Sequence, residues 1–160
     1  MPKAATAKIE IGKKIPDFSA TTTDGGTWRL KDARGSKVVL FFYPKDMTSG
    51  CTVEAQQFRD LHNAFRKANT VVIGVSRDSC ASHQKFKTKE KLNYELLSDA
   101  DEGVCKMFDV IKEKNMYGKK VMGIERSTFL IDEEGSLAQM WRKVKADGHA
   151  AEVLAAAKSL

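Results

Sequence analysis

Residues 37–57 read Lys37-Val-Val-Leu-Phe-Phe-Tyr-Pro-Lys-Asp-Met-Thr-Ser-Gly-Cys-Thr-Val-Glu-Ala-Gln-Gln57, and their pattern decides the fold. Val38 to Tyr43 is an unbroken apolar run, rich in β-branched and aromatic residues, of the length of a strand buried on both faces. Pro44 ends it, because proline has no N–H to give to a ladder. A polar stretch through Thr48, Ser49 and Gly50 follows. Apolar residues then recur at Phe58, Leu61 and Phe65, the three-and-four spacing of one helix face. This reads as strand, tight loop, helix, with Cys51 in the helix's first turn.

That placement carries chemistry. The first N–H groups of a helix have no partner within it, and the helix dipole adds partial positive charge there. Such a field stabilises a thiolate, the form in which cysteine is a nucleophile. The competing reading is an inert buried thiol, since free cysteine is among the most buried residue types. A buried thiol belongs mid-strand or on an apolar helix face. Cys51 lies instead in the polar run Thr48-Ser-Gly-Cys-Thr52, which favours reactivity.

Working outward, 160 residues suit one domain with a single core, spanning 1–160 with a frayed lead-in over 1–14. Hydrophobic and charged fractions of 42% and 30% are those of a globular chain rather than a disordered one. The N-terminus has no apolar stretch of secretory length and nothing approaches a membrane span, so a cytoplasmic location without membrane contact is expected. Three cysteines are too few for a disulfide scaffold and lack the Cys-x-x-Cys spacing of a zinc or dithiol motif. His62, His83 and His149 lie far apart in sequence, without ligand spacing, so no metal or other cofactor is expected. The net charge of +6 is scattered among acids with no arginine-rich helix, which argues against nucleic-acid binding. Its densest basic part, Lys112–Lys120, reads as a solvated loop.

In chain order, Asp24-Gly25-Gly26 and Thr27–Leu30 suggest an N-terminal β-hairpin, with Trp28 as a packing residue. The helix from Cys51 runs to Asn69, and Val71–Ser76 is a second short apolar strand. Strand, crossover helix and strand make a right-handed parallel unit. Asp78 or Ser79 caps a helix reaching about Lys89, Tyr94–Leu97 is a third strand, and Gly103–Phe108 is a brief helix carrying Cys105 among apolar neighbours. A loop through Gly118 and Gly123 leads to a hairpin of Ser127–Ile131 and Leu137–Val144. Ala150–Leu160 closes the chain as a helix. The result is an α/β fold, a mixed central sheet with helices on both faces. In open α/β sheets, sites form beyond the carboxyl ends of the parallel strands, where Cys51 falls. If the Ser127 strand runs antiparallel beside the Val38 strand, Arg126 arrives at the same edge; the alternative for Arg126 is a surface ion pair, for example with Glu125.

Pro44, Thr48 and Cys51, in the spacing Pro-x-x-x-Thr-x-x-Cys, resemble the active-site signature of the peroxiredoxins. Phe42-Tyr-Pro-Lys-Asp46, Gly50-Cys-Thr52 and Phe58-Arg-Asp60 are similar to the peroxiredoxin Q subfamily, also called bacterioferritin comigratory proteins. Gly74–Ser79, Gly123–Asp132 and Gly148–Leu154 extend the resemblance in order, from about Ile15 to Leu154. It implies a thioredoxin-like fold and a thiol peroxidase reducing hydrogen peroxide and organic hydroperoxides, recycled by thioredoxin or a similar dithiol protein. It implies Cys51 as the thiolate that becomes a sulfenic acid. Arg126, Thr48 and the Cys51 N–H would hold the peroxide, and Pro44 would shield the thiolate. Glu54 could accept from the arginine and Thr128 could support it. The resemblance further favours a monomer. A peroxide sensor or redox-switched binding protein, using the same oxidation without rapid turnover, is the alternative.

The sequence departs from the subfamily at the second cysteine. The places where relatives carry a resolving cysteine are here Gln56 and Lys87. Cys80, at the start of the next helix, is the candidate resolver. On neighbouring strands spaced about 4.8 Å apart the two thiols would stand roughly 10 Å from each other, so a helix start would have to unwind to join them. The alternative is a one-cysteine mechanism resolved by an outside thiol.

Overall fold

The computed structural model describes residues 9–160. Its central sheet has seven strands. They are β1 (Ser19–Thr22), β2 (Thr27–Arg29), β3 (Lys37–Phe42), β4 (Thr70–Ser76), β5 (Glu95–Ser98), β8 (Ser127–Ile131) and β9 (Leu137–Trp141), in the spatial order β2-β1-β5-β4-β3-β8-β9. β3, β4 and β5 are parallel, and the outer pairings are antiparallel. The N-terminal hairpin of β1 and β2 is the expected one.

Because β3 is central, both its faces are buried, and side-chain alternation sends its residues into two cores. Val39, Phe41 and Tyr43 face a layer that includes Phe58, Phe65, Phe86 and Val153. These belong to α1 (Ser49–Asp60), α2 (His62–Lys67), α3 (Cys80–Glu90) and α5 (His149–Lys158). Val38, Leu40 and Phe42 face the other way, onto Leu30, Phe108 and Val104 of α4 (Gly103–Met107). Gly74 on β4 makes room for this packing: a Cβ there would stand 2.8 Å from Leu96 and 2.9 Å from Phe41.

Four expectations change. The helix expected through Asn69 kinks at Leu61 (φ −97°, ψ 4°), and α2 continues beyond. The kink lets Phe58 and Phe65 enter one core with ring centroids 5.7 Å apart, although seven residues of straight helix rise about 10.5 Å. The supposed loop at 112–120 is a hairpin of β6 (Ile111–Met116) and β7 (Lys119–Ile124), turned at Tyr117-Gly118, both with positive φ. It was hidden because its apolar residues, Ile111, Val121, Met122 and Ile124, do not alternate regularly with polar ones. The final strand ends at Trp141 rather than Val144; Val144 N–H leaves the ladder and donates to Arg126 O. Of the two caps expected for α3, Ser79 is the one used, accepting from Ser82 N–H, while Asp78 accepts from Asp46 N–H and Ser76 Oγ. Of the supposedly frayed lead-in, 1–8 lie outside the described residues. The rest is tied down, with Gly12 and Lys13 exchanging backbone hydrogen bonds with Leu137.

Candidate active site

β3 delivers the chain to the sheet edge, and α1 begins six residues after Tyr43. Thr48 stands at the N-cap in extended conformation, and Cys51 is the third helical residue. Antiparallel register places Ser127 opposite Phe42, so Arg126 arrives at the end of β3, as the sequence argument requires. Its Nη2 lies 3.4 Å from Cys51 Sγ and its Nη1 donates to Glu54 Oε1 at 2.7 Å. The partner of Arg126 is therefore Glu54, not Glu125.

Cys51 is only 2% exposed, which the polar loop around it did not suggest. A guanidinium, always charged, lies against the buried sulfur, where it favours a thiolate. Burial opposes the charge on Arg126, but Glu54 and Cys51 outweigh it and raise the arginine's pKa further. Glu54 is wholly buried, and its Oε2 has no hydrogen-bond partner among the described residues. Desolvation pushes its carboxyl up to about 7, against the pull of Arg126. Gly50 leaves space for the guanidinium, since a Cβ there would come within 3.1 Å of Nη2.

The remaining expected residues take more qualified places. Pro44 is half-buried, two residues past the end of β3. Thr48 is exposed, and its hydroxyl donates to Lys45 O at 2.8 Å. With its one proton spent there, the hydroxyl has only lone pairs left to offer, so it can accept a hydrogen bond rather than donate one. Thr128 does not hold Arg126 by a hydrogen bond; its Oγ1 is 2.8 Å from Nε2 of the buried His149. Cys105 is fully buried, and desolvation followed by Asp99 holds its thiol far above the usual range. Cys80 is half-buried at the start of α3, and its Sγ lies 3.4 Å from Thr22 O, at the end of β1. Arg126, beside Cys51, leads into β8. β1 and β8 are four strand spacings apart, roughly 19 Å, so the two thiols point into different neighbourhoods.

Two features escaped the sequence. Lys114 of β6, assigned to a loop, donates from Nζ to Ile124 O. Burial and the charge of Arg126 lower its pKa, while Cys51 counteracts them, so it belongs to the electrostatics of the site. The structure also gathers Asp46, Asp78 and His83, with potential metal-ligating atoms within 4.8 Å of one another. Each of these side chains is hydrogen-bonded to protein, so a cation would have to displace those contacts. The only sequence signal was His83 lying three residues before the apolar Phe86, on one helix face.

Comparison with known proteins is consistent with this geometry. Residues 11–140 match the model of the AhpC/TSA family. The chain belongs to the AhpC/TSA family. It is 53% identical over 146 residues to a putative peroxiredoxin bcp of Coxiella burnetii, covering 91% of this chain and 97% of that one. Peroxiredoxin Bcp of Bacillus subtilis is 51% identical over 152 residues, covering 95% and 97%. The structure of the bacterioferritin comigratory protein of Xanthomonas campestris superposes with a TM-score of 0.87 at 46% identity, covering 94% and 98%. The fold is thus thioredoxin-like, and the chain is a peroxiredoxin of the Q or Bcp group, a thiol peroxidase. Membership brings with it a peroxide substrate and a thiol reductant. Among the described residues no helix is long and apolar enough to cross a membrane.

Proposed function

We propose that Cys51 is the reacting thiol of this peroxidase, that hydrogen peroxide and organic hydroperoxides are its substrates, and that Cys80 resolves the oxidised form. The observation that carries the reading is the 3.4 Å approach of Arg126 Nη2 to Cys51 Sγ at a helix start. The thiolate attacks one peroxide oxygen, forming S–O as O–O breaks. The departing alkoxide or hydroxide takes a proton and leaves as alcohol or water, and Cys51 becomes a sulfenic acid. Arg126 and the Cys51 N–H stabilise the charge developing on the leaving oxygen. Thr48 accepts from the substrate O–H, and Pro44 walls off water. The Xanthomonas campestris relative reduces alkyl peroxides, which supports the inclusion of organic hydroperoxides.

Resolution follows when the Cys80 thiol attacks the sulfenic sulfur, releasing water and forming a disulfide. Thioredoxin or a similar dithiol then reduces it by two thiol–disulfide exchanges. The chain works in this reading as one domain, monomeric and cytoplasmic, without metal or other cofactor and without nucleic-acid or membrane partners.

The direction of Cys80, toward Thr22, favours a second reading in which oxidation is slow to resolve and the protein signals peroxide rather than clearing it. Steady-state turnover with hydrogen peroxide and a thioredoxin system separates the two. Sustained multiple turnovers support the peroxidase cycle. A single oxidation followed by arrest at sulfenic acid supports the sensor.

A further inference from the structure

The loop leading to Cys51 is fastened at Asp46 by four hydrogen-bonded contacts to protein. Asp46 is buried two residues past Pro44. Its Oδ1 accepts from Tyr43 Oη at 2.6 Å and its Oδ2 accepts from Ser82 Oγ at 2.8 Å, with His83 Nδ1 2.7 Å from the same Oδ2. Its backbone N–H donates to Asp78 Oδ2 at 2.9 Å, an oxygen that also accepts from Ser76 Oγ at 2.6 Å. His83 is wholly buried, and its Nε2 lies 2.9 Å from Leu97 O. A carbonyl can only accept, so Nε2 carries a hydrogen. Nδ1 faces a carboxylate oxygen, and a hydrogen there completes that contact as well. The ring is then an imidazolium paired with Asp46. Removing either member would leave the other buried and unpaired, which is far costlier than never having formed the pair.

The network joins the loop that leads to Cys51 with the start of the helix that carries Cys80. On one side it grips the end of β3 through Tyr43 and the loop through Asp46. The next residue, Met47, has φ 63°, a left-handed conformation that persists only where its surroundings over-determine it. On the other side it grips the junction of β4 and α3 through Ser76 and Asp78, and α3 itself through Ser82 and His83. Cys80 is the first residue of that helix and His83 the fourth. β5 completes the frame, with Ser98 Oγ donating to Asp78 O at 2.6 Å.

We propose that the Asp46–His83 pair is a latch that holds the Pro44–Thr48 loop in its peroxide-binding shape and the start of α3 in its helical one, so that one opening event releases both. The proposal deepens the reading of Cys51 as the reacting thiol and rests on it, but not on which thiol resolves Cys51. His83 acts as a positioning residue, through Asp46.

Protonation gives the latch a readout that a purely structural contact lacks. The groups facing His83 are Asp46 from the loop, Asp78 from the β4–α3 junction and Tyr43 just past the end of β3. Burial disfavours the charged ring, yet the hydrogen bond and charge of Asp46, the Leu97 carbonyl and the charge of Asp78 outweigh it and raise the pKa of His83. Tyr43 stays neutral, because burial and Asp46 push its phenol well up. A folded value above the unfolded one means the pair's stabilisation is complete below about 6.5 and is lost as pH rises through the folded value. The latch therefore opens on the alkaline side.

Hydrogen exchange over residues 44–52 and 78–84 of the reduced protein, corrected for intrinsic rates and run from about pH 6 to 9, tests this beside the nitrogen chemical shifts of His83. The expected result is that both segments lose protection together, at the pH where His83 loses its second hydrogen. His83→Gln and Asp46→Asn should each loosen both segments at every pH and flatten the profile. Each should slow peroxide consumption by about 10-fold, the scale of a modest misplacement of the reacting group. The double variant should be no worse than either single one, since both remove one interaction. Tyr43→Phe, which deletes a single hydrogen bond to Asp46, is the milder variant should the others fail to fold, and it should loosen both segments in part. Protection lost at two different pH values, or loosened in only one segment in every variant, would overturn the latch. Peroxidase activity surviving in Cys51→Ser would overturn the reading beneath it, and that outcome is distinct because the exchange measurement needs no turnover.

Discussion

Glu54 holds Arg126 by Nη1 at 2.7 Å, and that buried ion pair decides that the other guanidinium nitrogen, Nη2, lies 3.4 Å from Cys51 Sγ. Glu54 and Cys51 are three residues apart on α1 and so share one face of it. A planar fork with fixed N–H directions spans two such partners, whereas an ammonium does not. The site is in this sense a single device, in which a buried carboxylate aims a cation at a sulfur.

Arg126→Lys keeps the charge and loses the fork. The rate constant for hydrogen peroxide should fall by roughly 10²-fold, the size typical of losing one preorganised donor. Stopped-flow oxidation kinetics measure it. Wild-type kinetics in Arg126→Ala would show that the pairing with Cys51 has no catalytic weight.

Glu54 predicts a pH dependence of stability. Its folded pKa, raised to about 7 from 4.5, means the native state binds more protons than the unfolded chain between those values. Stability contributed by this group therefore falls as pH rises through that window. Glu54→Gln removes the titration, so its melting temperature relative to wild type should improve steadily from about pH 4.5 to 7. A difference that stays constant across this range would contradict the assignment.

The sequence made the frame legible because the frame is built from strong signals. Val38–Tyr43 announces a central strand by its unbroken apolar run. The Pro44–Thr48–Cys51 spacing locates the reactive loop, and the antiparallel placement of Ser127–Ile131 brings Arg126 to it. What stayed hidden was what only the third dimension assembles. His83, one of three scattered histidines, meets Asp46 from a position 37 residues away. Lys114 looked like loop charge because Lys112 to Asn115 is a polar run, while the apolar residue it pairs with, Val121, lies seven positions on in the other strand. The burial of Cys51 was equally invisible, since neighbouring residues in sequence are polar while its neighbours in space are Arg126 and the core.

Gly50 sets stability against activity. Alanine there is the better helix former by up to about 1 kcal/mol, but its Cβ would crowd Arg126 Nη2 at 3.1 Å. Gly50→Ala should melt at or above the wild-type temperature while losing roughly 10-fold in peroxide rate. Paired thermal and kinetic measurements check it; an unchanged rate would mean that the guanidinium relaxes without consequence.

Cys80→Ser should keep the first oxidation at the wild-type rate, accumulate sulfenic acid and pass more readily to sulfinic acid. Cys105→Ser should leave turnover unchanged, because Cys105 is fully buried in the opposite core. Peptide mapping after one equivalent of peroxide reads both. A Cys51–Cys105 bridge, or no bridge at all in the wild type, would remove Cys80 from the mechanism.

The central claim is that Cys51 alone begins the reaction, and the most direct measurement is peroxide consumption by Cys51→Ser beside the wild type, with circular dichroism showing that both are folded. The account predicts that the variant consumes no peroxide above the uncatalysed rate, while Cys80→Ser and Cys105→Ser each still consume their first equivalent. Substantial consumption by folded Cys51→Ser would contradict it.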